Sequence, residues 1–117
     1  MDKILYLTLL YDFYGELLTD KQKEIFEMYH LNDLSMQEIG EQFHIKRQSV
    51  NDILKRTEKI LEEYECKLCL VRDYTDKNEK IGKLISDIDL LLKNNDTGKA
   101  ADSLMNIRRE LLEINSN

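Results

Sequence analysis

The sequence predicts an all-α fold built around a helix-turn-helix, and three observations carry that expectation. Proline is absent from the 117 residues and glycine occurs only four times, so little in the chain stops a helix. Leu, Ile, Lys, Glu, Asp and Asn dominate, and a β-rich fold would need more turn residues than this. Apolar residues recur at three- and four-residue spacing along most of the chain, the period of a helix with one buried face.

The elements follow in order. Ile4, Leu5, Leu9, Leu10, Phe13, Tyr14 and Leu17 mark a first helix with a wide apolar face, ending at Leu17 and Leu18. Thr19 caps a second helix whose stripe is Gln22, Ile25, Phe26 and Tyr29, and His30 to Leu34 interrupt the pattern. Ser35 opens a third helix with Glu38 three residues on, a capping box in which each side chain satisfies the other's free N–H. Met36, Ile39 and Phe43 form its inward face, and Phe43 to Lys46 make a turn. A fourth helix starts near Arg47. Its Val50, Leu54, Thr57, Leu61, Tyr64, Leu68 and Val71 alternate at four- and three-residue steps, like a coiled-coil seam. Nothing interrupts that pattern before about Asp73, so one long recognition and stem helix is expected.

Tyr74, Thr75 and Asp76 then read as a joint. Ile81, Leu84, Ile88 and Leu91 give a fifth helix ended by Asn94 and Asn95, and Asp96-Thr97-Gly98 make a turn and cap. Leu104, Ile107, Leu111 and Ile114 give a sixth. Short connections favour antiparallel neighbours, so the last two helices should form a hairpin against the stem. The expected organisation is a wingless helix-turn-helix domain over residues 1–65, with stem and hairpin over residues 66–117, the whole a single compact unit.

Charge divides the chain. Up to Glu65 there are 8 Lys and Arg against 14 Asp and Glu, a balance of −6; from Cys66 onward there are 9 against 9. The half with the apparent DNA-reading motif is therefore the acidic half, and a surface of that sign repels phosphate on average. No run of about 18 apolar residues occurs, so no segment is expected to span a membrane. Met1-Asp2-Lys3 leads into an acidic, tyrosine-rich segment instead of the basic-then-apolar layout of a signal peptide, and a cytoplasmic location is expected.

The strongest motif runs from Leu34 to Leu54. Two helices crossing steeply require a small residue where their backbones meet, and Gly40 follows the core Ile39 there. The turn needs a residue that tolerates positive φ, and His44 is of a type enriched in that region. Ile45, Val50 and Ile53 anchor the second helix on the first. Lys46, Arg47, Gln48, Asn51, Lys55, Arg56 and Lys59 make a locally positive strip along it, the candidate nucleic-acid-binding residues. Asp52 lies among them; a carboxylate in a groove can accept from cytosine but also sits near phosphates.

The stretch from Leu18 to Leu61 resembles region four of bacterial sigma factors. It shares the Leu18-Thr19 start, the Leu34-Ser35 before Glu38-Ile39, and the Val50-x-x-Ile53-Leu54 of the recognition helix. Over its full length the chain is similar to the YlxM family of small proteins. Tyr11-Asp12-Phe13-Tyr14, Leu18-Thr19-x-Lys21-Gln22 and Leu61-x-x-Tyr64-Glu65 carry that likeness. It covers the first two-thirds well, and the C-terminal hairpin only in architecture. The family's genes lie beside those for the signal recognition particle GTPase and its receptor. The resemblance thus implies a part in that pathway, with the GTPase subunit as partner and a regulatory role.

Other constellations are weaker. Cys66 and Cys69 form a Cys-x-x-Cys, but zinc needs four ligands and only His30 and His44 remain. Read within a continuous helix, the two cysteines are small buried hydrophobes on one face. His30 reads as closing a helix C-terminus, where a cation is favoured. Neither histidine stands at catalytic spacing from a nucleophile, and no glycine-rich phosphate loop exists, so no enzyme activity and no cofactor are expected. The tyrosines mostly suit packing between helices, with Tyr11 and Tyr14 as candidates for exposed edges. Two functions compete: a non-enzymatic adaptor whose acidic surface meets a basic partner, and a DNA-binding regulator. The regulator would read DNA through Arg47, Gln48, Asn51 and Lys55 as a homodimer, and the seam from Val50 to Val71 could serve dimerisation in either case.

Overall fold

A computed structural model describes residues 2–94 and 98–115. Helix α1 spans Lys3–Tyr14 and runs into a 3₁₀ turn at Gly15–Leu17. Helix α2 spans Asp20–Phe26 and continues as a π-helical turn over Glu27–Leu31. Helices α3 (Met36–Phe43), α4 (Arg47–Leu68), α5 (Leu70–Asn94) and α6 (Gly98–Asn115) follow, and no strand occurs among the described residues. The chain forms two compact units, Met1–Val71 and Arg72–Asn117.

The first unit has two packed layers of core. Leu7, Leu10 and Tyr14 of α1 meet Phe26, Leu61 and Val71 in one cluster. Ile25, Ile39, Val50 and Leu54 form the other, where α2 and α3 close on α4. Val50, Leu54, Thr57 and Leu61, the expected seam, are thus buried inside the unit against α1, α2 and α3. That seam is not free for a second copy of the chain; Leu68, its expected continuation, is 51% exposed.

The structure departs from the sequence expectations first at α1. Ile4 (63% exposed) and Leu5 of α1, and Leu17 of the 3₁₀ turn after it, lie outward, and Leu7 takes the core place they were assigned. The helix is apolar nearly all round, so the period alone cannot choose its buried face. The second correction is at residues 30–34, where the helix does not stop at His30. It widens into a π turn, with the Asn32 N–H donating to the Glu27 carbonyl at 2.9 Å. Asp33 (φ 57°) then closes the end as the Leu34 N–H reaches the Met28 carbonyl at 2.9 Å.

The third correction is the stem. Helix α4 ends at Cys69, whose φ of 57° is left-handed, and α5 begins directly at Leu70. Tyr74, Thr75 and Asp76 are helical, and no joint exists there. The cause is tertiary. Tyr14 of α1 donates its hydroxyl to Glu65 Oε1 at 2.6 Å and accepts the Leu70 N–H at 3.1 Å. Glu65 Oε1 also accepts the Val71 N–H at 2.9 Å. The first free donors of α5 are therefore capped by side chains from α1 and α4, which no local rule could reveal.

In the second unit, Ile81 and Ile88 are buried, with Ile85 and Leu92 half-buried on the same side of α5. Leu84 and Leu91, expected inward, are 49% and 47% exposed. Leu104 and Leu111 of α6 are half-buried, and Ile107 and Ile114 lie outward. Arg108 Nε donates to Asp89 Oδ1 at 2.6 Å, joining α6 to α5. Asn95 of the expected helix end and Asp96 and Thr97 of the expected turn lie outside the described residues, and Gly98 opens α6. No helix is long and apolar enough to cross a membrane among the described residues.

Candidate nucleic-acid interface

The turn between α3 and α4 is built as its residues dictate. Ser35 and Glu38 form the capping box, the Glu38 N–H donating to Ser35 Oγ and the Ser35 N–H to Glu38 Oε1, each at 3.1 Å. The Ser35 backbone N–H, followed by its hydroxyl, holds the Glu38 carboxyl below its usual range. His44 adopts φ 55°, ψ 41° and lets the Ile45 N–H reach the Gly40 carbonyl at 2.9 Å. A Cβ on Gly40 would stand 2.7 Å from the Ile45 carbonyl oxygen, so the close approach of α3 to the turn requires glycine.

Each candidate residue of the strip lies on α4 between Arg47 and Lys59 or, for Lys46, at its N-cap. Lys46 is the N-cap in extended conformation, and Arg47 opens the helix. Lys46, Arg47, Gln48, Lys55, Arg56 and Lys59 are exposed, and Asn51 is half-buried. Among the described residues none of these cations is held in an ion pair. Arg47, Gln48 and Asn51 meet Met36 of α3 around an open cavity of about 440 Å³. Arg56 stands apart from them, beside Lys21, Thr19, Gln22 and Ile53 on a smaller cavity of about 260 Å³. Lys21 and Met36 were not found by sequence reasoning; their signal, closeness to the two helix starts, appears only once α2 and α3 are packed on α4.

The carboxylates decide the electrostatics. Gln48, Asp52, Lys55 and Lys59 follow one another at steps of four, three and four, one face of a helix. Asp52 is thus in line with the cations, and its Oδ1 accepts from Gln48 Nε2 at 3.0 Å. Glu62 and Glu63, both exposed, close the strip at its far end. Glu58 does not fence it; its Oε1 lies 3.4 Å from His30 Nε2, toward the π turn.

The histidines and cysteines also find places. His30 falls in the last turn of the π segment, where its ring packs 4.5 Å from Phe26 and edge-on 5.0 Å from Tyr29. Cys66 is exposed and Cys69 ends α4, so the expectation of two buried cysteines within a continuous helix is corrected. Among the described residues no three His, Cys, Asp or Glu side chains group as a metal site. Tyr14 is 1% exposed, leaving no edge for an interface. Tyr11 stacks on Phe26 at 4.6 Å and donates to Glu27 Oε1 at 2.6 Å.

A capping box, a left-handed residue closing the turn over a required glycine, and an exposed basic start to the second helix define a helix-turn-helix protein. The chain belongs to the UPF0122 family, described as "Putative helix-turn-helix protein, YlxM / p13 like", whose family model matches residues 1–102. It is 46% identical over 114 residues to a UPF0122 protein of Thermoanaerobacter sp. (strain X514), covering 97% of both chains. A UPF0122 protein of Caldanaerobacter subterraneus subsp. tengcongensis is 49% identical over 114 residues, again 97% of each. One from Halalkalibacterium halodurans is 44% identical over 89 residues, 76% of this chain and 82% of the relative.

Proposed function

We propose that this protein is a non-enzymatic regulatory adaptor of the signal recognition particle pathway, acting in the cytoplasm on the particle's GTPase subunit. The helix-turn-helix serves as a scaffold, and the acidic unit around it meets a basic partner. The observation that carries this reading is Asp52. It stands inside the stripe that would face phosphate and engages Gln48, a would-be base reader, at 3.0 Å. A DNA-binding surface gains affinity by neutralising phosphates, and a carboxylate in that stripe works against it. Complementary charge would speed an encounter with a basic protein and make it sensitive to salt.

The test is binding of the full chain to the purified GTPase subunit, with and without the particle's RNA, beside a mixed DNA pool. Saturable binding to the GTPase that weakens with salt is expected. Binding to DNA alone sinks the adaptor.

A second reading, a DNA-binding regulator, is favoured by one observation: Lys46, Arg47, Lys55, Arg56 and Lys59 are exposed and free of ion pairs among the described residues. A homodimer matching two half-sites would have to use a surface other than the buried Val50–Leu61 seam. Here Arg47→Glu with Lys55→Glu should abolish binding to the DNA pool, and unchanged binding would remove both residues from the site.

A further inference from the structure

A depression of about 530 Å³ opens between α1, the π turn and α4, away from the recognition strip. That volume falls in the range of clefts that take small ligands, ~300–1,000 Å³, and leaves room for a long side chain. Its wall is apolar at Ile4, Leu7 and Leu34, and aromatic at Tyr29 and His30. Glu58 brings a carboxylate to it, and Asp33 and Lys3 bring charges of opposite sign.

Two local irregularities converge there. The π turn of Glu27–Leu31 carries Tyr29 and His30 into the wall, and such turns are uncommon and frequently accompany functional sites. His30 Nε2 is buried without a hydrogen-bond partner, although Glu58 Oε1 is only 3.4 Å away. The two findings agree, because a good charge-assisted bond is about 2.7–2.9 Å and this approach falls short of one. The Glu58 side chain is 26% exposed, and His30 is the sole partner found for it among the described residues. A half-buried carboxylate with open lone pairs beside an apolar wall lacks a strong donor.

The geometry points to a socket for an arginine side chain of a partner protein. The guanidinium would pair with Glu58 and lie against the Tyr29 and His30 rings, while its stem covers Ile4 and Leu34. Charge favours this occupant: two carboxylates face one ammonium, so an anion would meet net repulsion. A metal ion finds no three-ligand group among the described residues. A planar fork also fits one carboxylate between ring surfaces better than the compact, strongly hydrated ammonium of lysine. This socket rests on the adaptor reading in requiring a basic protein partner, and it supplies that reading with a contact.

The experiment titrates the full chain with a capped five-residue peptide carrying one central arginine, followed by amide chemical shifts. Its citrulline counterpart keeps the shape and removes the charge. Shifts are expected at Ile4, Tyr29, His30 and Leu34, with at least tenfold weaker binding for citrulline and for Glu58→Gln. Lys3→Glu, an exposed change that leaves the core intact, should strengthen arginine binding about threefold by removing the repelling ammonium at the rim. Equal binding of citrulline, shifts centred elsewhere, or Lys3→Glu weakening the complex would each overturn the socket. The GTPase separates the two readings. If Glu58→Gln binds the GTPase as well as the wild type does, the socket is overturned and the adaptor stands. If the GTPase never binds while the arginine peptide does so through Glu58, the socket stands and the partner is another basic protein.

Discussion

Tyr14 and Glu65 stand 51 residues apart in sequence, and their side chains meet at 2.6 Å inside the first unit. The pair replaces the local cap that α5 lacks. Removing the Tyr14 hydroxyl leaves the Leu70 N–H without its acceptor and takes one donor from a carboxylate, in a region where the ring is 1% exposed. Loss of a buried partner costs about 1–3 kcal/mol. Tyr14→Phe should therefore lower the unfolding free energy by about 2 kcal/mol in urea titrations, with the denaturant dependence unchanged.

The same hydroxyl predicts an alkaline limit. Burial, followed by the hydrogen bond to Glu65, pushes the Tyr14 phenol up to about 12, from an ordinary value of 10.0. A raised value means that its contribution to stability is complete below the unfolded value, near pH 10, and fades as pH rises toward 12. Tyr6 and Tyr11 are raised as well, so the wild type alone would not isolate the effect. The difference in stability between wild type and Tyr14→Phe should shrink between pH 10 and 12, with both proteins followed by circular dichroism. A constant difference across that window would show that folding does not raise the phenol above its ordinary value.

How much of this was legible depends on where each signal is stored. The turn from Ser35 to Val50 is encoded locally: a capping box, a glycine at the crossing and a residue tolerant of positive φ are visible in the ten consecutive positions from Ser35 to His44, and all appear as read. The break at Cys69 is encoded by Tyr14, far away in sequence, so the unbroken apolar period through Leu68 and Val71 pointed to one helix. The buried face of α1 was hidden for another reason: Leu5, Leu7, Leu9 and Leu10 offer apolar surface on several sides, and only packing selects among them. The seven candidate strip residues were visible as five cations and two amides on a helix, whereas the tie between Gln48 and Asp52 needed side-chain geometry.

Gly40 offers a sharp stability test. An alanine there gains about 1 kcal/mol of helix propensity. It also drives a methyl to 2.7 Å from the Ile45 carbonyl oxygen, which belongs to backbone and cannot swing aside. Overpacking of this kind costs about 1–3 kcal/mol, so the clash should prevail. Gly40→Ala is expected to lower the melting temperature by several degrees, and a neutral outcome would mean that the turn can open without penalty.

Asp52 is where the electrostatic argument can fail. Asp52→Asn keeps the size and can keep a hydrogen bond with Gln48, so only the charge in the stripe changes. At a separation of about 7 Å in a watery setting, one charge alters the interaction with a phosphate by about 0.6 kcal/mol, a threefold change. Weak DNA binding by the wild type should therefore tighten about threefold in Asp52→Asn. Lys55→Ala should reduce the slope of log affinity against log salt by about one, if Lys55 contacts a phosphate. Should Asp52→Asn leave DNA affinity untouched while Lys55→Ala reduces the slope, the carboxylate lies beyond the reach of phosphate, and the adaptor reading loses the observation that carries it. Should both variants be silent with DNA and the GTPase still bind, the strip is not a nucleic-acid surface, and the helix-turn-helix serves as the framework that holds an acidic face in place.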